Sequence, residues 1–323
     1  MMDGTDRRDQ ESPTRRVLVT GASGFVGGAI ARHLHHSGWR VRVAARRPTH
    51  FRRIMEEVAV GDLREAVDWA AALEGCDAVV HAAGLAHQPR GVADSEMFRI
   101  NAEATGALAR AARSAGITRF VFISSVRAIA GASSDVVIDD HSPWAPTDAY
   151  GRSKLEGEAT ALASGVPTAI LRPTAVCGAS ARGAFALMAQ MAQAPMPIPA
   201  RGLRGRRSFV TDRNLADAAR ALLVEERAAG GRFLVAEPRP FTAEDFIVAL
   251  RAARGARPNI APLPRFAIAI AARLPRLGDM IERLDRDFIV ECPALTALGW
   301  KPVEPSEKGL ARMIDPPVDT GGW

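Results

Sequence analysis

The only tyrosine of the chain, Tyr150, precedes Lys154 by four residues, and lysine occurs at just three of the 323 positions. On a helix this spacing places both side chains on one face. A phenol titrates near pH ~10, and a neighbouring ammonium favours its ionised form. The pair therefore predicts a lowered pKa for Tyr150 and a side chain that acts as general acid or base near neutral pH.

A glycine-rich segment with Gly21, Gly24 and Gly27 follows the first predicted strand and opens a predicted helix. We expect Gly21 to allow a tight turn, Gly24 to let a phosphate approach, and Gly27 to let helix and strand pack closely. The N-terminus of such a helix presents N–H groups and the positive end of its dipole to a pyrophosphate. A strand, this turn and a helix in that order predict a dinucleotide site.

The end of the second predicted strand indicates which dinucleotide binds. Sites for NAD usually have a carboxylate there for the ribose 2′-hydroxyl, whereas this chain has Arg46 and Arg47. Either guanidinium could pair with a 2′-phosphate, which favours NADP(H) over NAD, although one arginine could instead stack on the adenine. Asp62, after the third strand, could accept from the adenine amino group or cap a helix predicted at 64–73.

Two serines, Ser124 and Ser125, end the strand predicted at 120–124. In open α/β sheets, ligands bind at the carboxyl ends of the strands. We therefore expect the Ser125 hydroxyl to hydrogen-bond the reacting oxygen of a substrate and Ser124 to lie behind the nicotinamide. The alternative is a serine pair that merely ends the strand.

These residues need a scaffold, and short β-branched runs alternate with alanine- and leucine-rich stretches from residue 15 onward. Strands are predicted at 16–20, 41–45, 58–60, 78–81, 120–124, 168–171 and 232–236, and helices at 26–37, 64–73, 96–115, 150–163 and 215–226. This alternation predicts an α/β fold with a doubly wound parallel Rossmann sheet.

The chain divides into three predicted regions. Residues 1–14 are polar and lack periodicity, which is typical of a disordered tail. Residues 15–175 form the dinucleotide-binding domain, which recovers a helix and a strand from about 207–236. Residues 176–323 form a smaller, mixed substrate-binding region, in which Phe266–Leu274 is predicted as a short packed helix.

Composition excludes several classes of function. Although 47% of the residues are hydrophobic, no apolar run approaches the ~20 residues of a membrane span, and no signal peptide is visible, so we expect a cytoplasmic protein. The net charge of +6 comes from dispersed arginines without a DNA-binding module, so nucleic acid is not an expected partner. The three separated cysteines and the helix-end histidines His33, His35 and His36 predict neither disulfides nor a metal site.

Taken together, these motifs resemble those of the extended short-chain dehydrogenase/reductases, which include the NAD-dependent epimerases and dehydratases of nucleotide sugars. The resemblance covers nearly all of residues 15–315 and rests on the three glycines, Ser125 and Tyr150-Gly-Arg-Ser-Lys154. Further matching pieces are His81-Ala-Ala-Gly84, Asn101, Leu171-Arg-Pro-Thr-Ala-Val-Cys-Gly178 and Leu298-Gly-Trp-Lys-Pro302.

The resemblance implies a role for each matching residue. Tyr150 would be the acid or base, Lys154 would modulate its pKa and bind the ribose, and Ser125 would stabilise the substrate hydroxyl. Arg207 matches a position that binds the substrate diphosphate in nucleotide-sugar members, while His87 is expected in the substrate pocket only from its place after the fourth strand. Further expected cofactor contacts are Gly21, Ser23, Gly24, Phe25, Val26, Leu63, Ala82, Ala83, Gly84, Asn101, Pro173 and Val176.

The helices predicted at 96–115 and 150–163 are rich in small residues. In the family, these two helices form a four-helix dimer interface, so the resemblance implies a homodimer. It also implies a nucleotide-sugar substrate as the small-molecule partner. A membrane partner is not expected, because the apolar runs are too short. Asn101 would support the active-site helix.

Two departures from the family pattern bear on the type of reaction and on the substrate. Val126 and Arg127 stand where dehydratases of the family have an Asp-Glu pair, which disfavours 4,6-dehydration. Cys177 replaces a usual tyrosine, and the small residues after the serine pair leave the identity of the sugar open.

Three functions remain open from the sequence. The first is an NAD(P)-dependent epimerase or ketoreductase acting at C4 of a nucleotide-activated sugar, as in surface-polysaccharide synthesis. The second is an NADPH-dependent reductase of a non-sugar ketone or aldehyde, similar to steroid or flavonoid reductases, against which Arg207 argues. The third is a protein that binds NAD(P) without catalysis, against which the retained Tyr150 and Lys154 argue.

Overall fold

The computed structural model describes residues 15–86, 92–181, 183–274 and 277–315. Within these ranges the strands are β1 (Arg16–Thr20), β2 (Arg40–Ala45), β3 (Glu56–Ala59), β4 (Ala78–His81), β5 (Arg119–Ile123), β6 (Thr168–Pro173), β7 (Ala175–Cys177), β8 (Ile198–Arg201), β9 (Phe209–Thr211), β10 (Arg232–Val235) and β11 (Ile260–Pro262). The helices are α1 (Phe25–His36), α2 (Ala70–Leu73), α3 (Asp94–Phe98), α4 (Ala104–Ser114), α5 (Ala149–Ala163), α6 (Ala184–Gln193), α7 (Asp212–Val224), α8 (Ala243–Ala253), α9 (Arg265–Ala271), α10 (Leu277–Asp285), α11 (Pro293–Ala297) and α12 (Ser306–Ile314).

Seven strands form one parallel sheet in the order β10-β6-β5-β4-β1-β2-β3. The chain starts in the middle at β1, runs outward to β3, and then continues from β4 towards the other edge. This reversal between β1 and β4 is the topological switch point at which open α/β sheets bind ligands. The predicted doubly wound Rossmann fold is confirmed.

Successive side chains of β1 point to opposite faces of the sheet, and both faces are covered. Val17 and Val19 pack in a cluster that includes Ile30 of α1 and Leu222 of α7. Leu18 packs in a second cluster, which includes residues of α4 and α5. Because both faces are buried, the central strands are continuous apolar runs rather than alternating ones.

The last strand of the sheet, β10, comes from the C-terminal half of the chain and pairs with β6. The preceding helix α7 packs against α1. The rest of that half contains two small parallel sheets, β7–β9 and β8–β11, and a separate apolar cluster with Phe209, Phe241 and Phe246 at its centre. The domain boundaries at 175 and 176 stay a prediction.

The helix predicted at 64–73 is largely wrong, since only its last turn, Ala70–Leu73, is helical. Asp62 accepts a hydrogen bond from the backbone N–H of Arg64 at 3.0 Å, and Asp68 accepts from that of Ala70 at 2.9 Å. Such local side-chain contacts offer the backbone an alternative to helix.

The helix predicted at 96–115 is present but interrupted, because a π-helical turn at Arg99–Glu103 joins α3 to α4. The expectation that His33 lies at a solvated helix end is wrong. Its Nε2 lies 3.1 Å from Asp217 Oδ1 in a largely buried contact. Phe266–Leu274 does include a short helix, α9, although Phe266 itself is 70% exposed.

Across the described residues, no helix is long and apolar enough to span a membrane, and no three metal-ligating side chains cluster.

Candidate active site

The glycine turn after β1 has the geometry of an anion site. Gly21 has a φ of +74°, and a Cβ there would come within 2.6 Å of the backbone nitrogen of Ala83. Gly27 lies against Gly21, since a Cβ at Gly27 would come within 2.3 Å of the Gly21 oxygen. Gly24 is the N-cap of α1; no side chain in the described part of the chain caps this helix, and its first turn has no acidic residue. The first N–H groups of α1 are therefore available to a pyrophosphate, which fits a dinucleotide.

The segment after β4 lies beside this turn, because β1 and β4 are neighbours. A Cβ at Gly84 would come within 2.7 Å of Asn101 Oδ1 and 3.3 Å of Lys154 Nζ. The backbone at Gly84 thus passes close to two side chains that the sequence placed in the site.

Arg46 at the end of β2 has a carboxylate beside it. Its Nη1 donates to Asp62 Oδ2 at 3.2 Å, and Arg64 donates to the same oxygen at 3.0 Å. Hydrogen bonds from the Arg64 backbone and the Arg46 side chain lower the pKa of Asp62. Asp62 does not cap a helix over 64–73; it places a carboxylate beside Arg46 from the segment that follows β3. Arg47 is exposed.

The start of α5 brings the predicted catalytic hydroxyls together. Asp148 is the N-cap and accepts from the Gly151 N–H at 2.7 Å, which fixes the first turn that carries Tyr150. The Tyr150 phenol is hydrogen-bonded to Ser125. Ser125 Oγ also accepts from the backbone N–H of Arg127 at 3.1 Å.

The pKa of Tyr150 is raised from its ordinary value, so the predicted lowering is wrong. Burial is the main cause, and the charge of Asp148 adds to it. The hydrogen bond from Ser125 and the charge of Arg127 act in the opposite direction. Lys154, which the spacing singled out, is not among the groups that shift this pKa.

Lys154 is buried, and its Nζ donates to the Ile123 carbonyl at the end of β5 at 2.9 Å. The ammonium lies 4.8 Å from the centre of the Phe122 ring. Burial lowers its pKa to about 8, while Glu158 opposes this. Asn101 donates to Ser153 Oγ at 3.0 Å, which joins the π-helical turn to α5, as expected for a residue that supports this helix.

Glu158, one turn after Lys154, is fully buried and was missed by the sequence analysis. It accepts from Ser124 Oγ at 2.5 Å and from Arg172 at 2.9 and 2.6 Å. Arg232 lies 3.5 Å from the same carboxylate. The Ser124 hydroxyl is therefore engaged with Glu158, and its expected place behind the nicotinamide stays a prediction. A carboxylate one helical turn after a candidate catalytic lysine was the available signal.

Arg207 lies partly buried beside the small sheets. It donates to the carbonyl oxygens of Ala132 and Arg283 at 2.7 and 3.1 Å, and stacks 5.1 Å from the centre of the Phe288 ring. Burial, together with the charges of Arg283 and Arg127, lowers its pKa to about 10, so it remains charged at neutral pH. The three arginines Arg127, Arg207 and Arg283 form a positively charged group. The sequence did not indicate Arg127 or Arg283 as ligands.

The remaining expected cofactor residues lie at the carboxyl edge of the sheet or just beyond it. They are Ser23, Phe25 and Val26 in the glycine turn and the start of α1, Leu63 after β3, Ala82 and Ala83 after β4, and Pro173 and Val176 at β6 and β7. Their contacts with a cofactor stay a prediction. His87 lies outside the described residues.

Comparison with known proteins shows which family the chain belongs to. The sequence pattern of the NAD dependent epimerase/dehydratase family matches residues 17–236. The chain belongs to that family. It is 29% identical to a UDP-glucose 4-epimerase of Vibrio cholerae, over 94% of this chain and 95% of that protein. It is also 27% identical to a 3 beta-hydroxysteroid dehydrogenase/Delta 5-->4-isomerase of Mycobacterium tuberculosis, over 93% of this chain and 89% of that protein.

Solved structures share the fold of this extended short-chain dehydrogenase/reductase. MoeE5 in complex with UDP-glucose and NAD superimposes with a TM-score of 0.72 at 24% identity, covering 93% of this chain and 97% of that one. The human epimerase family protein SDR39U1 with NADPH has a TM-score of 0.70 at 22% identity, covering 93% and 99%. Solved structures with this fold thus hold either NAD or NADPH.

Proposed function

We propose that the protein is an NAD(P)-dependent oxidoreductase or epimerase that acts at C4 of a nucleotide-activated sugar. The observation that carries the sugar-nucleotide assignment is Arg207. Its hydrogen bonds are to two carbonyl oxygens; burial is the main cause of its lowered pKa, the charges of Arg283 and Arg127 add to this, and Asp287 opposes it. A substrate diphosphate would relieve this repulsion and accept bidentate hydrogen bonds from a guanidinium.

The residues at the edge of the sheet supply the proton chemistry. The nicotinamide, when bound, supplies or accepts the hydride. Tyr150 would take the proton from a sugar hydroxyl or return it to a carbonyl oxygen, and Ser125 would hold that oxygen by hydrogen bonding. Lys154 would bind the ribose with its buried ammonium, close to Gly84.

We propose NADP(H) as the cofactor, with Arg46 and Arg47 facing the 2′-phosphate. Support comes from the exposure of Arg46, whose side chain is 65% accessible. NAD is the alternative, and it is favoured by Asp62, because this carboxylate lies beside Arg46 and could accept a ribose hydroxyl. The homodimer stays a prediction, as do the choice between epimerase and ketoreductase and the role in polysaccharide synthesis.

A second function, reduction of a non-sugar ketone, is favoured by one observation, the likeness to the Mycobacterium tuberculosis hydroxysteroid dehydrogenase over most of both chains. It would use the same Tyr150 and Ser125, but it gives the charge of Arg207 no substrate partner. The two functions therefore differ in whether Arg207 contributes to ligand binding.

The test is thermal unfolding with NADP, NAD, UDP and UDP-glucose, since a ligand that binds the native state raises the melting temperature. We expect stabilisation by UDP and UDP-glucose that Arg207→Ala removes while stabilisation by NADP remains. Arg46→Ala is expected to remove the effect of NADP alone. Arg227→Ala, which breaks an exposed pair with Glu225, is the matched control. Stabilisation by NADP but by neither UDP nor UDP-glucose would contradict the proposal and favour the ketone reductase.

A further inference from the structure

Arg127 joins three parts of the candidate active site. Its backbone N–H donates to Ser125 Oγ at 3.1 Å, at the end of β5. Its guanidinium donates to Asp148 Oδ2 at 2.6 Å and forms an ion pair with this N-cap of α5. Its carbonyl oxygen lies against the first turn of α5, since a Cβ at Gly151 would come within 2.2 Å of it.

The backbone of Arg127 therefore contacts the Ser125 hydroxyl, and its side chain contacts the start of the helix that carries Tyr150. Asp148 uses its two oxygens for two purposes, Oδ1 for the Gly151 N–H and Oδ2 for the Arg127 guanidinium. A shift of Arg127 would move strand end and helix start relative to each other. The two hydroxyls lie on these two elements.

We propose that Arg127 and Asp148 are positioning residues whose ion pair holds the Ser125 and Tyr150 hydroxyls together and sets how readily Tyr150 releases its proton. This inference rests on the proposed function, because it concerns the acid or base of that same site. It assigns Arg127 a role beyond replacing the acidic pair that dehydratases have near this position.

The charges of the pair act on Tyr150 in opposite directions. A cation near a phenol favours the phenolate and an anion disfavours it, and both effects are present in the structure. The pair is only partly exposed, with 22% of the Arg127 side chain and 43% of the Asp148 side chain accessible, so solvent screens it incompletely.

The other charged and titratable groups around this region come from several elements. They are Lys154, Arg152 and Glu158 on α5, Asp94 on α3, which lies 4.0 Å from Arg152, Arg99 and Glu103 on the π-helical turn, His81 at the end of β4, and Arg207 with Arg283 beyond the loop after β5. Among all these charged groups, those whose charges shift the pKa of Tyr150 are Asp148 and Arg127.

The chain offers a direct readout, because Tyr150 is its only tyrosine. The ultraviolet difference absorbance of phenolate therefore reports one site, and so does ¹⁹F NMR of protein labelled with fluorotyrosine. Ring fluorine lowers the intrinsic pKa of the phenol, and circular dichroism at each pH checks that the fold stays native over the titration. No substrate is needed.

We expect Arg127→Ala to move the titration midpoint of Tyr150 upward and Asp148→Asn to move it downward. The asparagine retains an oxygen that accepts from the Gly151 N–H, so the start of α5 remains capped. Arg127→Lys keeps the cation and is expected to restore the midpoint towards that of the unmodified protein. Arg227→Ala removes an exposed arginine from a pair with Glu225 and should leave the midpoint unchanged.

Opposite shifts separate a charge effect from mere loosening of the fold, which would move both variants in the same direction. Midpoints that move together, or that stay at the value of the unmodified protein, would overturn the proposal. So would a shift in Lys154→Met without one in Arg127→Ala. Because the titration uses the full chain without substrate, its failure would leave the UDP-glucose test of Arg207 unaffected.

Discussion

The two sides of the candidate site are built differently. At the carboxyl edge of the sheet, polar groups are buried and joined by several hydrogen bonds each, as with Glu158 and Arg172, which are 0% and 2% exposed. Around Arg207, the ion pairs Arg206–Asp287 and Arg286–Asp135 are largely accessible to solvent.

Under the proposed function, the buried region carries the proton chemistry and the exposed region recognises the substrate. Proton transfer requires hydroxyls held at fixed distances, which buried networks on strands and helices provide. Exposed ion pairs contribute little stability, so residues around Arg207 can differ between relatives at little cost to the fold. The likeness of the chain to both a sugar-nucleotide epimerase and a steroid dehydrogenase is consistent with such a division.

The largest effect is expected when the proposed acid or base is removed and the proposed substrate-recognition residues are left unchanged. Tyr150→Phe keeps the ring but removes the hydroxyl, and we expect turnover to fall by about 100- to 10,000-fold. Stabilisation by UDP-glucose should remain, since the substitution leaves Arg207, the proposed ligand of the diphosphate, unchanged. Steady-state kinetics and thermal unfolding with UDP-glucose measure the two effects; unchanged turnover would remove Tyr150 from the chemistry.

The next largest effect concerns stability. Glu158→Gln leaves the buried Arg172 without its counter-charge, and we expect the free energy of unfolding to fall by about 3–5 kcal/mol. The control is Glu244→Gln, which breaks the exposed Arg201–Glu244 pair and should cost about 0–1 kcal/mol. Urea denaturation of both variants gives the two values. Equal losses would show that burial does not distinguish these regions.

His81 makes the edge of the sheet sensitive to acid. It lies between Thr20 and Thr105 at 2.7 and 3.0 Å, and burial, reinforced by Lys154, lowers its pKa to about 3. The unfolded chain binds the proton near pH ~6.5, so the neutral native form contributes fully above that pH. Between pH ~6.5 and ~3, stability should fall by about 1.4 kcal/mol per pH unit.

His81→Gln isolates this effect from that of the carboxylates, which also titrate in acid. The difference in unfolding free energy between the unmodified protein and the variant should become smaller as the pH falls from ~6.5. Denaturant titrations at a series of pH values measure it. A difference that is constant with pH would show that His81 is not held neutral.

The smallest effect is expected on the recognition side. Arg206→Ala breaks the exposed pair with Asp287 and should change the free energy of unfolding by about 0.2–1 kcal/mol, less at high salt. Urea denaturation at low and high ionic strength measures it. A loss as large as that of Glu158→Gln would indicate that this region is as rigid as the sheet.

The sequence predicts the sheet well because its signals are local. The bounds of β1 and β4 agree with the prediction to the residue, since both are short apolar runs that are buried on both faces. The helix over 64–73 failed because the carboxylates of Asp62 and Asp68 hold the backbone in other conformations. No periodicity reports such contacts.

The sequence predicted site residues that belong to single motifs, but it did not predict contacts between motifs that are distant in the chain. Tyr150 and Ser125 are brought together as their positions on α5 and β5 suggested. The contact between Arg46 and Asp62 depends on the register of two neighbouring strands, and the raised pKa of Tyr150 depends on burial, which spacing along a helix does not show. The pairing of Arg127 with Asp148 spans 21 residues and likewise needed the fold.

The most direct test of the proposed chemistry is hydride transfer itself. The protein would be incubated with NADPH carrying deuterium at C4 of the nicotinamide and with a UDP-linked 4-keto sugar, and the product analysed by mass spectrometry. We expect a UDP-sugar alcohol with deuterium at C4 of the sugar, formed by the unmodified protein and lost in Tyr150→Phe. Transfer of deuterium to a steroid ketone but not to the UDP-linked sugar would contradict it.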